Sequence, residues 1–385
     1  CSPRLLVFGP MAMHALRLCA QTSRPLLRAG CFSRARVGGI AGHRCLQSTT
    51  PSGDSAPLEA VPVAEAAPIV AKQNALQHWG GIYFELGKGR LSALVACTGA
   101  TGFVLGSAGM PMDWGNFGVL LAGTYLSACA ANGINQWREI HNDSLMERTA
   151  NRPLPSGRIT PNHALTAALV AATSGAGLLA VQINPLCAGL CVLNLGIYTM
   201  IYTPMKQTSH LNTWAGAVVG AIPPLMGWAA ATGSLPPAAF PLAALLFSWQ
   251  LPHFMALAHM LRSDYLAGGY QMLPSFDTPK TANVILRNSL YLFPIAASFP
   301  LLGVCSWPFA AEASALSMGF VYLAIRFRNS HKDEDAKKVF LFSLMYLPAV
   351  MAAMMFHRTS TEEAVHVPCP HEAIQVEHIG KNKAQ

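Results

Sequence analysis

The sequence predicts an all-α integral membrane protein whose nine transmembrane helices surround a central cavity. Three observations lead there. Hydrophobic residues make up 52% of the 385 residues and charged residues only 11%, where an ordinary soluble domain carries about a quarter charged. Nine apolar segments approach the roughly 20 residues that a bilayer core requires. Lys and Arg fall in alternate connections between those segments. The net charge of +8 is therefore lopsided loop charge around apolar spans, and a nucleic-acid surface is not expected. The ten cysteines form no CxxC pair, and Cys187 and Cys191 lie inside an apolar run, so they read as small reduced packing residues.

The chain opens on a segment of different character. Residues 1–53 hold seven arginines and no acidic residue, the first being Asp54. Ser and Thr are frequent, and LRLCAQTSRPLLRAGCFSR can form a basic amphipathic helix. That is the pattern of a mitochondrial transit segment, without the compact apolar core of a secretory signal. Residues 54–88 follow as a Pro/Ala-rich linker and lead-in. The membrane domain is expected over 89–358 and a polar, disordered tail over 359–385.

The spans are expected at 90–109, 115–135, 163–183, 186–203, 212–231, 237–260, 286–305, 309–327 and 339–357. Lys72, Lys88 and Arg90 precede the first or open it. Arg138, Arg148, Arg152 and Arg158, then Lys206, then Arg262 and Lys280, and finally Arg326, Arg328, Lys332, Lys337 and Lys338 follow spans two, four, six and eight. No Lys or Arg follows spans one, three, five or seven. Nine helices with the amino terminus inside place every basic connection on one face, the positive-inside pattern. In a mitochondrial inner membrane that face is the matrix side.

Polar residues gather on the same side. The second span ends in NQWREIHNDSLMERTANRPLPSG, residues 135–157. Asn135, Glu139 and Asp143 recur every four residues, so on a helix they drift by only about 80° over two turns. Three hard oxygen donors in a row suit Mg²⁺, which completes its shell with water and substrate phosphate. The competing reading is an ordinary helix end with solvated acids paired to arginine. A second cluster, WQLPHFMALAHMLRSDYLAGGY over 249–270, places His253 inside a span, where an ionisable group is a functional candidate. His253 and Asp264 share a face if the helix persists between them; His259 ranks lower. With Arg90, Arg148, Arg152 and Lys206 on the same side, carboxylates for a metal and cations for a diphosphate meet beside a long apolar path.

These stretches resemble the UbiA-type intramembrane prenyltransferase family, and within it the protoheme IX farnesyltransferase branch that makes heme O. NQWREIHNDSLMERTANRPLPSGRIT carries the first signature, and YTMIYTPMKQTS, NTWAGAVVGAIPPLMGWAAATGSL and SWQLPHFMALAHMLRSDYLAGGYQMLP follow in order. The resemblance implies Mg²⁺ held by Asn135, Glu139, Asp143 and Asp264, with Glu139 standing where the wider family has Asp. It implies farnesyl diphosphate and heme b as substrates, met by Arg90, Arg148, Arg152, Lys206, His253 and Tyr265. Asn135, Glu139, Asp143, Asp264 and His253 form the implied catalytic set. His253, at the first position of the second signature, favours heme over a quinone-type aromatic acceptor. Gln207 stands where an arginine is common. Membrane lipid and proteins of the heme A pathway are the implied partners. A prenyltransferase acting on a quinone precursor and a membrane transporter remain the alternatives.

Overall fold

The computed structural model describes residues 67–359, with side chains from residue 77. The transit segment over 1–53, most of the linker and the tail beyond 359 lie outside the described residues. The chain divides into two compact units, residues 1–79 and 80–385. Of the first, only the opening of helix α1 (Ala67–Leu86) is described.

The second unit is helical, and nine of its described helical segments are long and apolar enough to cross a membrane. In chain order they are α2 (Gly89–Gly106), α3 (Trp114–Arg138), α5 (Pro161–Gln182), the composite α6–α7 (Pro185–Thr208), α8 (Asn212–Thr232), α9 (Phe240–Met260) with a short 3₁₀ lead-in, α12 (Thr278–Leu301), α13 (Trp307–Ser330) and α14 (Asp333–His357). Short helices α4 (Ile140–Ser144), α10 (Arg262–Ala267) and α11 (Leu273–Phe276) lie in the connections that follow α3 and α9. All nine sequence-predicted spans appear.

The helix starts follow elementary capping chemistry. Asp113 accepts from Asn116 N, Thr160 from His163 N and Asn184 from Cys187 N, with prolines at the first positions of α5 and α6. Two starts lie more than five residues upstream of the sequence estimate. Helix α12 begins at Thr278 because Asp277 Oδ1 accepts Lys280 N at 2.8 Å and Pro279 sits in the first turn. Helix α14 begins at Asp333 because Asp333, Glu334 and Asp335 occupy its first turn, where the helix dipole favours negative charge. Charge excluded both stretches from an apolar-window reading.

Helices α2, α3, α5 and α6 pack with α8 as one group, and α9 packs with α12, α13 and α14 as the other. Contacts of α8 with α9 and of α2 with α14 join the two. Apolar cores fill each group, one around Leu120, Leu179 and Met226 and the other around Leu292, Phe299, Phe320 and Tyr346. In lipid, close backbone approach does what water expulsion does elsewhere. At the α2–α8 crossing a Cβ on Gly227 would overlap the Gly99 carbonyl, and one on Gly102 would overlap the Pro224 carbonyl.

Candidate active site

Helix α3 does not run cleanly into its loop. It breaks at Glu139, whose backbone (φ −102°, ψ 18°) is non-helical, and restarts as α4. Two main-chain bonds carry the four-residue spacing across the break: Glu139 N to Asn135 O at 3.0 Å and Asp143 N to Glu139 O at 2.7 Å. Asn135, Glu139 and Asp143 are all buried, each at most 3% exposed. Buried carboxylates require partners, since an unpaired charge in a dry interior is costly.

Lys206 supplies the first. Its Nζ lies 2.7 Å from Asn135 Oδ1, 2.8 Å from Glu139 Oε1 and 3.1 Å from Glu139 Oε2. Asn135 Nδ2 donates to Glu139 Oε2 at 2.7 Å, and Thr203 Oγ1 donates to Asn135 Oδ1 at 3.0 Å. The ring of Tyr202 lies 4.8 Å from the ammonium. Arg152 supplies the second partner, with Nη1 2.6 Å from Asp143 Oδ2. Arg158, by contrast, turns to Glu85 at 2.6 Å.

Local distortion aims these groups. Between α6 (Pro185–Gly196) and α7 (Thr203–Thr208) the chain makes a π-helical turn over Ile197–Tyr202. Pro204, lacking an N–H, comes two residues after it, and the Thr203 hydroxyl, 2.8 Å from Tyr198 O and 3.0 Å from Asn135 Oδ1, shares its one proton between them. Such turns recur at functional sites, where the inserted residue rotates the next stretch of helix about its axis. Thr203 and Lys206 lie on that next stretch, α7. Lys88 arrives from the other flank. It joins α1 to α2 in a left-handed conformation (φ 46°). Burial pushes its ammonium down to about 7; Arg152 and Lys206 push the same way, while Glu139 and Asp143 oppose. Tyr270 is buried against Glu139 and Asp143, and burial together with those carboxylates holds its phenol above the usual range.

The second signature sits beside the first. Asp264 Oδ1 accepts from Glu147 N at 3.1 Å, and Arg148 Nε lies 3.7 Å from Oδ2, which is buried without a hydrogen-bond donor. Arg148 also covers the ring of Tyr265, itself edge-on to Tyr270. A polar clamp fastens the loops: Asn142 Nδ2 donates to Gly268 O, Gln207 Nε2 to Asn142 Oδ1, and Gln271 N to Lys206 O. A pocket of about 330 Å³ opens beside Glu139, lined by Arg138, Thr203, Pro204, Gln207 and Thr208.

Two of the sequence-predicted residues, His253 and Arg90, lie apart from the acid row. The shared face of His253 and Asp264 assumed a helix that persists; α9 ends at Met260, backbone bonds from Leu261 N to Leu257 O and from Tyr265 N to Leu261 O bridge the break, and the two side chains take partners on different elements. His253 faces α14 instead. Its Nδ1 lies 2.7 Å from Ser343 Oγ, and its ring stacks between Trp249 (4.8 Å) and Phe340 (5.0 Å). Arg90 is exposed, and among the described residues it makes no ion pair with the cluster; Lys88 is the lead-in cation whose ammonium feels the charges of Glu139 and Asp143. Lys88, Thr203, Tyr202 and Tyr270 were not singled out from sequence. Lys88 and Arg90 both precede an apolar run, and only the left-handed turn separates their directions.

The sequence profile of the UbiA prenyltransferase family matches residues 93–345. The chain belongs to that family. Among its UbiA relatives, the protein named mitochondrial protoheme IX farnesyltransferase of Arabidopsis thaliana is 45% identical over 287 residues, 74% of this chain and 67% of the relative. Its Homo sapiens namesake is 43% identical over 275 residues, 71% and 62% respectively. The alignments thus span about two thirds of those relatives' length. In three dimensions the UbiA fold recurs in a chain from work on digeranylgeranylglyceryl phosphate synthase (TM-score 0.62, 17% identity, 72% of this chain and 97% of that one). It recurs again in an Aeropyrum pernix UbiA homologue (TM-score 0.57, 17% identity, 70% and 98%). An Archaeoglobus fulgidus UbiA homologue described as bound to DMAPP and Mg²⁺ matches at TM-score 0.50 and 14% identity, over 71% and 98%.

Whether the cluster suits a divalent ion can be tested on its own geometry. Among the described residues no three His, Cys, Asp or Glu side chains gather closely enough to hold a metal by themselves. Mg²⁺ does not need such a group, since it characteristically takes one or two carboxylates and fills its shell with water and phosphate oxygens. The Asn135–Glu139 oxygens already cradle a cation, the Lys206 ammonium, and Asp264 keeps a buried oxygen without a donor. The donor set fits.

Proposed function

We propose that the protein transfers the farnesyl group of farnesyl diphosphate to a vinyl group of heme b, with addition of water, giving heme O and diphosphate. The observation that carries the reading is the buried row Asn135–Glu139–Asp143, bracketed by Lys206, Arg152 and Lys88 at one end of an apolar bundle. Its residues stand in a chain 45% identical to a relative named for that activity. The protein acts in the mitochondrial inner membrane, with the cluster at the matrix edge, as the names of the relatives and the alternating loop charges suggest.

In this reading Mg²⁺ would be held by Glu139 and Asp143 with Asn135, Asp264 serving from the facing loop. When bound it supplies charge neutralisation of the diphosphate. Lys206, Arg152, Lys88 and Arg148 bind the diphosphate oxygens and meet the charge that develops on the leaving oxygen, so they stabilise the transition state more than the substrate. The farnesyl C1–O bond breaks with its electron pair leaving on diphosphate. The vinyl π pair then forms the new C–C bond to C1, and water adds to the resulting cation with loss of a proton. The rings of Tyr202, Tyr265 and Tyr270 offer π faces at the end where the allylic cation forms. Exclusion of water from that end prevents simple hydrolysis. His253, held by Ser343 between two aromatic rings, orients the porphyrin.

The deciding experiment incubates purified protein with labelled farnesyl diphosphate and either heme b or 4-hydroxybenzoate. Labelled heme O is the expected product. Label on the benzoate alone would replace heme with a quinone precursor as the acceptor.

A further inference from the structure

Away from the prenyl-transfer cluster, a groove of about 440 Å³ opens at the start of α8, the first three turns of α12 and the end of α13. His210, Lys280, Arg287 and Arg328 line it, together with Trp214 and Leu290. All four basic side chains are exposed. Among the described residues none of them forms an ion pair, and no acidic side chain lines the groove. The neighbouring cations behave otherwise: Arg326 and Lys338 share Asp335, and Arg262 takes Asp333. Arg287 lies nine residues past the start of α12, about 13 Å along its axis. An arginine that far into a membrane helix is expensive unless it reaches water or an anion. Trp214 and Leu290 form the apolar half of the groove, Leu290 lying three residues further into α12 than Arg287.

We infer that this groove binds an anionic phospholipid of the bilayer, its phosphate meeting the four basic side chains and its acyl chains lying along Trp214 and Leu290. Concentrated positive charge with no internal counter-ion supplies the headgroup attraction. The apolar wall selects a lipid over a free phosphate. The site is independent of the prenyl-transfer reading.

The test uses the full chain in neutral detergent, with bound lipid counted by native mass spectrometry during titration with phosphatidylglycerol, phosphatidylcholine or inorganic phosphate. A one-to-one phosphatidylglycerol complex is expected that neither of the others displaces at equal concentration. The paired substitution R287Q/R328Q should weaken it about thirty-fold, each lost cation counting several-fold. H210Q/K280Q should weaken it at least tenfold. K332Q/K337Q, which removes the same charge elsewhere on that side, should change it less than threefold. Melting in lipid-free detergent verifies that each variant is folded. Equal weakening by the groove and control pairs, displacement by inorganic phosphate, or equal retention of phosphatidylcholine would each overturn the inference.

Discussion

Replacing Lys206 with Met tests the cluster most directly. The ammonium makes three contacts of 2.7–3.1 Å to Asn135 and Glu139, and the paired side chains are only 10% and 4% exposed. Removing one partner of a buried pair leaves an uncompensated charge and costs about 3–5 kcal/mol. For a chain of this size that corresponds to roughly 2 °C of melting temperature per kcal/mol, hence a fall of about 6–10 °C. The measurement is thermal melting in detergent with EDTA, so that no divalent ion replaces the lost charge. K206M/E139Q, which removes both charges, should recover at least about 1 kcal/mol relative to K206M, because the two residues are energetically coupled. A K206M protein melting within 2 °C of wild type, or a double variant no better than K206M, would refute the buried-pair argument. Restoration of K206M by added Mg²⁺ beyond any effect on wild type would further locate the divalent ion at Glu139.

Three other expectations arise from the same geometry. R152Q breaks the 2.6 Å contact with Asp143 and should lower kcat for heme farnesylation about 10²–10³-fold, as loss of a leaving-group donor does; steady-state turnover with labelled farnesyl diphosphate measures it. H253A removes a ring packed against Trp249, Phe340 and Ser343, outside the contacts of the acid row. It should therefore leave the KM for farnesyl diphosphate within about twofold of wild type while weakening heme binding, read from the optical titration of heme. Lys88 is charged when unfolded up to about pH 10.5 but in the folded chain only up to about 7. The unfolded state thus holds the extra proton between those values, so stability should rise with pH there and be lowest, for this group, below 7. Melting of wild type in EDTA from pH 6.5 to 9 should show that rise, and K88M should flatten it.

Much of this architecture was legible because a membrane imposes long apolar helices and sorts the charges between them. The ends of α12 and α14 escaped for the same reason in reverse: Lys280 and the Asp333–Asp335 run look like loop by hydropathy, yet they are capping and dipole chemistry at helix starts. The Asn135–Glu139–Asp143 row could be read from spacing alone, since two backbone bonds keep that spacing through a broken helix. The His253–Asp264 pairing could not, because partners on other elements, Ser343 for His253 and Glu147 N with Arg148 for Asp264, decide where each side chain goes. Lys88 was invisible for a subtler reason. Its direction is set by one left-handed residue, which no charge or hydropathy pattern reports.

The electrostatics of the cluster bear on what it awaits. Glu139 and Asp143 are two buried negative charges, and Lys206 and Arg152 match them one for one. With Lys88 near its midpoint at neutral pH, the chain alone is close to balanced there, which is how buried acids persist in a low-dielectric interior. A divalent ion arriving alone would meet Lys206 already on the Asn135 and Glu139 oxygens and would have to overcome that repulsion. In the proposed reading a magnesium–diphosphate with net negative charge would be drawn by Lys206, Arg152 and Lys88 instead of repelled by them. It favours the protonated form of Lys88 and offers Lys206 new acceptors in exchange for those it leaves. On that reading, joint arrival of metal and diphosphate would be favoured over sequential loading. Titration of the free protein with Mg²⁺ alone should accordingly show weak binding that tightens at least tenfold when inorganic diphosphate is present. Equal affinity in its absence would mean that the lysine is a bystander and not the resident counter-ion of the row.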